Sequence, residues 1–160
     1  MDIFVTTALK LADIKSDSCI TKAVEKRANI LKLTQAAEDA VLRPTESGAY
    51  SHTLRAALAA RIARLNSEEA LANRYLKSAG TFGTIADLAN DGSSHKLSAV
   101  VNFMDKVAAS TRSVTAEDIS VLQEQGIKDA DIVRLSELNS FLSYQIRLVV
   151  GLRLLESQSK

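Results

Sequence analysis

The sequence predicts an all-α fold, and three observations support this. Its 160 residues include one Pro and six Gly, so few positions interrupt a helix. No stretch alternates apolar and polar residues in the way that a half-buried strand does. Apolar residues instead recur three or four positions apart, which is the spacing of one helix face. The length suits a single domain over residues 1–160.

The first quarter of the chain is predicted to contain one long helix. Residues 1–17 are expected to be an irregular lead-in, and the helix covers residues 18–43. Asp17 or Ser18 would cap its start, because both side chains accept hydrogen bonds from free backbone N–H groups. Pro44 would end it, since proline cannot continue a helix. Its apolar face carries Ile20, Val24, Ala28 and Leu31, with Gln35 and Leu42 further along.

Residues 51–76 are predicted to form the central, mostly buried segment. They contain neither Pro nor Gly, and alanines fill most gaps between larger apolar residues, so neighbouring helices can approach closely. A break is expected at residues 65–67, because Asn66 and Ser67 are cap residues and acidic residues suited to a first turn follow. The apolar positions at helical spacing are Leu54, Leu58, Ile62 and Leu65.

Shorter elements are predicted in the middle of the chain. A short segment is punctuated by Gly80 and Gly83. Thr115 is expected to cap a helix, with Asp118 three residues on completing a capping box. Gly126 would end that helix in the left-handed conformation. The helix before it is marked by Leu97, Val100, Met104 and Val107.

The last helix is predicted to run from Asp129, as its cap, to about Glu156, with two apolar stripes. One stripe contains Ile132, Leu135, Leu138 or Asn139, Leu142, Ile146 and Val149. The other contains Phe141, Tyr144, Leu148, Leu152 and Leu155. A helix with two such stripes needs two partners. Either one stripe meets another subunit, or both are buried within one chain, and both alternatives stay open.

Composition narrows the function classes. A formal net charge of +1, with acidic and basic residues interspersed, gives no electrostatic footprint for nucleic acid. No apolar run reaches the roughly 18 residues of a membrane span, and the N-terminus does not resemble a signal peptide. One cysteine excludes an intrachain disulfide. We therefore expect a cytoplasmic protein without nucleic-acid or membrane partners.

Three phrases in the last third resemble a known superfamily: VTAEDI at 114–119, GIKDADI at 126–132, and FLSYQIR at 141–147 with Gly151 and Leu152 after it. They resemble the closing segment of the AhpD-like superfamily of alkylhydroperoxidase and carboxymuconolactone decarboxylase (CMD) domains. The resembling core spans residues 50–156, and LADI at 11–14 with VEKR at 24–27 resembles a CMD subgroup. The resemblance implies an AhpD-like multi-helix domain, a homo-oligomer and a peroxidase-related, antioxidant role.

The redox motif of that superfamily is missing. Its enzymes resemble one another in a Glu followed, after eleven residues, by Cys-x-x-Cys-x-x-x-His. Alignment on residues 64–66 places these groups on Ala56, Glu68, Leu71 and Tyr75. A dithiol peroxidase needs one thiolate to attack peroxide and a second thiol to resolve the sulfenic acid. The family's asparagines in the last helix fall on Ser143 and Ile146.

Three functions are consistent with this loss. The first is a non-redox binding or structural oligomer, without a cofactor, acting alone or beside an active homologue. The second is a lyase or isomerase of small carboxylates, in which Glu68 or Tyr75 would transfer protons and Arg61 or Arg64 would hold the anion. The third is a single-cysteine antioxidant that works through Cys19.

Five residues are candidates for binding. Arg61, Arg64, Glu68 and Tyr75 share one helical side. They could line a polar pocket, but the pattern favours a solvated stripe with an Arg64–Glu68 pair. Arg147 matches an arginine of the superfamily and is expected to have a structural carboxylate or carbonyl partner. Asn139 and Gln145 carry no stronger prediction.

Cys19 and the two histidines carry weak signals. Cys19 lies near a predicted helix start, where a thiol can be reactive, but a lone cysteine is more often incidental. His52 and His95 lack the spacing of metal ligands, and a solvated or capping role is expected. We predict no metal site.

Overall fold

The structure, a computed structural model, describes residues 1–158 as α-helices joined by turns, with no strand in that range. The all-α prediction is confirmed. Short 3₁₀ turns lie at Ile3–Val5, Gly80–Ala86, Ser93–His95 and Thr111–Ser113. The helices are α1 (Thr7–Leu11), α2 (Thr21–Glu25), α3 (Ala28–Leu42), α4 (His52–Leu65), α5 (Glu69–Leu76), α6 (Ser98–Ser110), α7 (Ala116–Glu124) and α8 (Asp129–Ser157). None of these helices is long and apolar enough to cross a membrane.

Helix α4 is the centre of the fold, as predicted. It begins where the Ser51 hydroxyl accepts a hydrogen bond from the Leu54 N–H at 3.2 Å. Every residue from Leu54 to Ala63 is buried, and α3, α5, α6 and α8 all contact this helix. Its alanines allow this close approach, because a methyl group leaves room for a neighbouring helix on every side.

The predicted break between α4 and α5 is confirmed. Helix α4 ends at Leu65, and α5 begins at Glu69. Ser67 between them adopts a left-handed backbone with φ of +59°. Both the Asn66 backbone N–H and its side-chain amide donate to the Ile62 carbonyl, at 3.2 and 2.9 Å, so this residue closes the last turn of α4.

The first quarter differs from the prediction. The expected irregular lead-in, residues 1–17, contains α1, and the expected single helix, residues 18–43, is two helices. Lys26 and Arg27, which separate the two helices, are both exposed, so no burial holds them helical. Val24 and Leu31 on either side are fixed by packing into one apolar cluster. Tertiary contacts therefore decide both differences.

The expected cap at Asp17 or Ser18 is also wrong, since α2 begins at Thr21. The Ser18 hydroxyl instead accepts a hydrogen bond from the Lys15 N–H at 2.9 Å, and Thr21 Oγ1 donates to the Ser18 carbonyl at 2.7 Å. These two bonds form a turn just before α2. The Ser18 side chain is bonded within this turn and therefore does not cap a helix.

The ends of α7 and α8 follow the sequence closely. The capping box of Thr115 and Asp118 is present, and Gly126 has φ of +78°, as predicted. The predicted cap Asp129 is instead the first residue of α8. Its carboxylate accepts a hydrogen bond from Gln123 Nε2 at 2.8 Å, so α7 holds it away from the α8 backbone.

The second stripe of α8 meets the beginning of the same chain. Leu148 and Leu152 pack against an apolar cluster from the N-terminal segment, and Phe141 is buried in the main core. Tyr144 is partly exposed, and its hydroxyl bonds to Thr34 Oγ1 at 2.8 Å. The N-terminal cluster contains Ile3, Leu9, Ala12, Ile14, Ile20, Val24 and Leu31.

Candidate functional site

The four positions that the resemblance aligns with the redox motif are all buried. Ala56 lies on α4 and Leu71 on α5, and both pack into the main apolar core. Neither side chain has a polar group, so neither can transfer a proton or attack a substrate. Any chemistry at this place would therefore depend on Glu68 and Tyr75.

Glu68 holds the end of α8. Its two carboxylate oxygens accept hydrogen bonds from Arg153 Nη1 at 2.8 and 2.9 Å, and Arg153 Nε donates to the Leu11 carbonyl at 3.1 Å. The predicted Arg64–Glu68 pair is absent, because the break after α4 destroys the one-turn spacing that such a pair needs. Arg64 donates to the Ala86 carbonyl at 2.9 Å and lies 3.7 Å from Glu69.

Tyr75 begins a buried chain of hydrogen bonds. Its hydroxyl donates to Gln145 Oε1 at 2.5 Å, and Gln145 Nε2 donates to Glu38 Oε2 at 2.8 Å. Thr7 Oγ1 donates to the other Glu38 oxygen at 3.0 Å, and Arg74 lies 3.9 Å from it. The chain therefore joins α5, α8, α3 and α1.

Burial changes the titration of both ends of this chain. Desolvation raises the pKa of Glu38, while the bonds from Thr7 and Gln145 and the charge of Arg74 oppose the rise. Desolvation and the nearby Glu38 raise the pKa of Tyr75, so its hydroxyl stays protonated. Because the Tyr75 hydroxyl is protonated and already donates to Gln145, it acts as a structural donor and not as a base.

Sequence reasoning missed Glu38, although a signal was present. Glu38 lies seven residues after Leu31 and four before Leu42, and both of these leucines are buried. An acid at those spacings is on the apolar face of α3. The role of Gln145 was also not predicted, because its partner Glu38 is more than a hundred positions away in the chain.

Arg61 contradicts the predicted solvated stripe. Its side chain is only 4% exposed and binds both oxygens of Asp105 at 2.7 Å, through Nε and Nη2. The remaining N–H groups donate to backbone carbonyls of the segment that joins α5 to α6. These acceptors are Ile85, Asp87, Leu88 and Asn90. Because a guanidinium has five N–H donors, none remains for an anion.

Three other predicted residues are not members of these networks. Arg147 is exposed and has no hydrogen bond or ion pair within residues 1–158, so the expected partner is absent. Cys19 is exposed, and its thiol donates to Glu156 Oε2 at 3.2 Å. His52 bonds to the Pro44 carbonyl at 2.9 Å. Within the described residues, no group of three His, Cys, Asp or Glu side chains could hold a metal ion.

An open cleft of about 1070 Å³ lies at the opposite end of α8. Its walls are residues 48–50 before α4, residues 96–100 at the start of α6, and the connection from α7 into the first turns of α8. None of the binding candidates predicted from the sequence lines it. Asp131 in the cleft and Arg153 at Glu68 are roughly 33 Å apart along α8, from the 1.5 Å rise per residue.

The cleft combines apolar walls with four charged side chains. The apolar part includes Leu97, Val121 and Ile127. Three of the charged side chains are cationic, and the one carboxylate, Asp131, accepts hydrogen bonds from Arg134 at 3.0 Å and from the Ala49 N–H at 3.1 Å. Such an arrangement can hold a small molecule that has one charged end.

No protein-family model, curated protein or solved structure matches this chain, so its resemblance to the AhpD-like superfamily stays a prediction.

Proposed function

We propose that this chain is a non-redox binding protein on an AhpD-like scaffold, and that it binds its ligand in the cleft at the start of α8. The proposal rests on one observation: the side chains at the four positions aligned with the redox motif are either apolar or bonded to other groups of the protein. Two of them are apolar, Glu68 is held by Arg153, and Tyr75 is held by Gln145. The cleft, in contrast, is open, and both polar and apolar residues line it.

The alternative of a lyase or isomerase has less support. It needs Glu68 or Tyr75 beside a substrate, with Arg61 or Arg64 holding the anion. These side chains donate to or accept from protein groups, and none of them lines the cleft. We therefore do not place a reaction at this centre.

We expect no peroxide turnover. With hydrogen peroxide and dithiothreitol, the purified protein should consume peroxide no faster than the buffer, because the chain has a single thiol and no second one to resolve a sulfenic acid. Peroxide loss is followed in a coupled colorimetric assay, with Cys19→Ser as the matched control. Turnover in the natural protein that disappears in Cys19→Ser would establish the single-cysteine antioxidant instead.

We also propose that the chain forms a homo-oligomer through the exposed end of α8. Val150 and Leu154 lie one turn apart there and are 38% and 60% exposed. Two exposed apolar side chains one turn apart can pack against the same residues of a second copy in a two-fold contact. An AhpD-like scaffold is expected to be oligomeric, which supports the same proposal.

Light scattering after gel filtration tests this. The natural chain is expected to elute at a multiple of its 17.3 kDa mass, and Leu154→Glu should shift it to the monomer because a charge cannot be buried there. Val133→Glu is the control, since Val133 is 55% exposed on the same helix at its other end. A monomeric natural chain would contradict the proposal.

A further inference from the structure

The N-terminal strap, residues 1–14, is a separable part of the fold. Its larger buried side chains, Ile3, Leu9 and Ile14, belong to the N-terminal cluster, which is distinct from the main core. Its helix α1 has five residues, which is too short for a helix to persist without contacts to other elements. Residues 15–17, which follow the strap, are all exposed. The strap can therefore open while the main core stays folded.

Hydrogen bonds of long sequence separation hold the strap on the body. The Thr7 N–H donates to Gln35 Oε1 at 2.8 Å, and Thr7 Oγ1 donates to Glu38 Oε1 at 3.0 Å. Arg153 Nε donates to the Leu11 carbonyl at 3.1 Å. Because Glu38 is an acid with only 1% exposure, the bond that it accepts from Thr7 couples the strap to a buried titratable group.

Glu38 is enclosed by side chains from four helices. The groups that face it are Thr7 of α1, Asp39 of α3, Arg74 and Tyr75 of α5, and Gln145 of α8. At neutral pH Arg74 is charged and Tyr75 is protonated, because burial raises the tyrosine pKa. Desolvation is the largest effect on Glu38 and raises its pKa, and the charge of Asp39 adds to this rise.

Opening of the strap changes the surroundings of this acid. A carboxylate has about four acceptor positions, and water fills them best when one wall of the enclosure is removed. The pKa of Glu38 is therefore raised while the strap is docked and falls towards its ordinary 4.5 when the strap is open. The docked state binds this proton more tightly, so docking is strongest below pH 4.5 and weakens as pH rises through the docked pKa.

We propose that the strap is a pH-controlled cover, which is closed over Glu38 and α8 in acid and opens more often once Glu38 ionises. Opening breaks the bond from Thr7 and uncovers part of Leu148 and Leu152, which pack against the N-terminal cluster. A rise in pH therefore enlarges the apolar surface that α8 presents. The cleft lies at the start of α8, so this device is independent of the proposed ligand site.

Hydrogen exchange at pH 5 and pH 7.5 tests the device. The amides of Lys10, Ala12 and Ile14 donate within the strap, and those of Leu58 and Ile62 in α4 report global unfolding. Rates are divided by the intrinsic rate at each pH to give protection factors. Strap amides should be less protected than α4 amides, and their protection should fall by at least about threefold from pH 5 to pH 7.5.

Glu38→Gln removes the titration and keeps both the size of the side chain and a carbonyl acceptor for Thr7. The strap protection at pH 5 and pH 7.5 should then differ by no more than about 1.5-fold, because no proton is released from this position. Asp39→Asn is the matched control, since it removes an exposed acid one residue away. In that variant the fall in strap protection should remain.

A second pair of variants tests the contact without changing the acid. Thr7→Val removes a donor to Glu38 at nearly constant size and should lower strap protection at pH 7.5 about two- to tenfold, the effect of one lost hydrogen bond. It should also increase the ratio between pH 5 and pH 7.5, because the ionised acid depends most on that donor. Thr6→Val should leave this ratio unchanged, since Thr6 Oγ1 bonds to the Ile3 carbonyl within the strap.

Three results would overturn the proposal. Equal protection of strap and α4 amides at both pH values would show that the strap opens only when the whole protein unfolds. Strap protection that does not change with pH in the natural protein would remove the control by Glu38. A fall that persists in Glu38→Gln, or equal ratios in Thr7→Val and Thr6→Val, would assign the pH dependence to another group.

Discussion

Replacing Arg61 with leucine is expected to lower the free energy of unfolding by about 3–5 kcal/mol, the usual cost of removing one partner of a buried ion pair. The substitution leaves Asp105 unpaired and removes the donors to four carbonyls between Ile85 and Asn90. That connecting segment should therefore loosen together with its contact to α6. Urea denaturation followed by circular dichroism gives the change in free energy.

The matched control is the same substitution at Arg147. This arginine is exposed and has no partner in residues 1–158, so Arg147→Leu should change stability by no more than about 0.5 kcal/mol. Arg61→Lys should recover only part of the loss, because three ammonium donors cannot replace five in a planar fork. Equal effects of Arg61→Leu and Arg147→Leu would show that the Arg61 network is not stabilising.

Gln145→Leu is expected to cost about 2–5 kcal/mol at neutral pH. It removes the acceptor of the Tyr75 hydroxyl and one donor to Glu38, and each buried polar group left unsatisfied costs about 1–3 kcal/mol. Leucine is of similar size, so the loss reports the hydrogen bonds more than a cavity. Tyr75→Phe in the same background should reduce the cost, because the orphaned hydroxyl is then gone.

The cost of Gln145→Leu should grow as pH rises. Burial raises the folded-state pKa of Glu38 above its ordinary 4.5. The folded protein therefore holds this proton more tightly than the unfolded chain, and stability from this group falls as pH rises from 4.5 through the folded pKa. The Gln145 hydrogen bond limits the rise, so its removal prolongs the fall to higher pH. Unfolding of both proteins at several pH values should show a difference that is smallest in acid, and a pH-independent difference would be inconsistent with this role for Glu38.

The parts of the fold that the sequence predicted correctly are those fixed by local chemistry. The break after α4 depends on cap residues within three positions, and the turn at Gly126 depends on one residue that tolerates a left-handed backbone. The capping box of Thr115 and Asp118 is likewise complete within a single helical turn. Local energies act there without help from distant residues.

The parts that it did not predict depend on distant partners. The spacing of Arg61 is typical of a solvated helix face. In the structure the segment after α5 covers the Arg61 side chain, and no local sequence pattern predicts this contact. Helix α1 is too short to form alone and exists because it packs on α8. The cleft joins residues from three separated parts of the chain, so its shape follows from the fold and not from a motif.

The pairing of the first helix with the last has a consequence for synthesis. Thr7 reaches Glu38, and Glu38 reaches Gln145 on α8, so the N-terminal segment cannot reach its final position before α8 has left the ribosome. Until then Glu38 stays hydrated, and the leucines of the N-terminal segment remain accessible to chaperones. Docking of the N-terminal segment therefore waits for the synthesis of α8, and these contacts of long sequence separation form last.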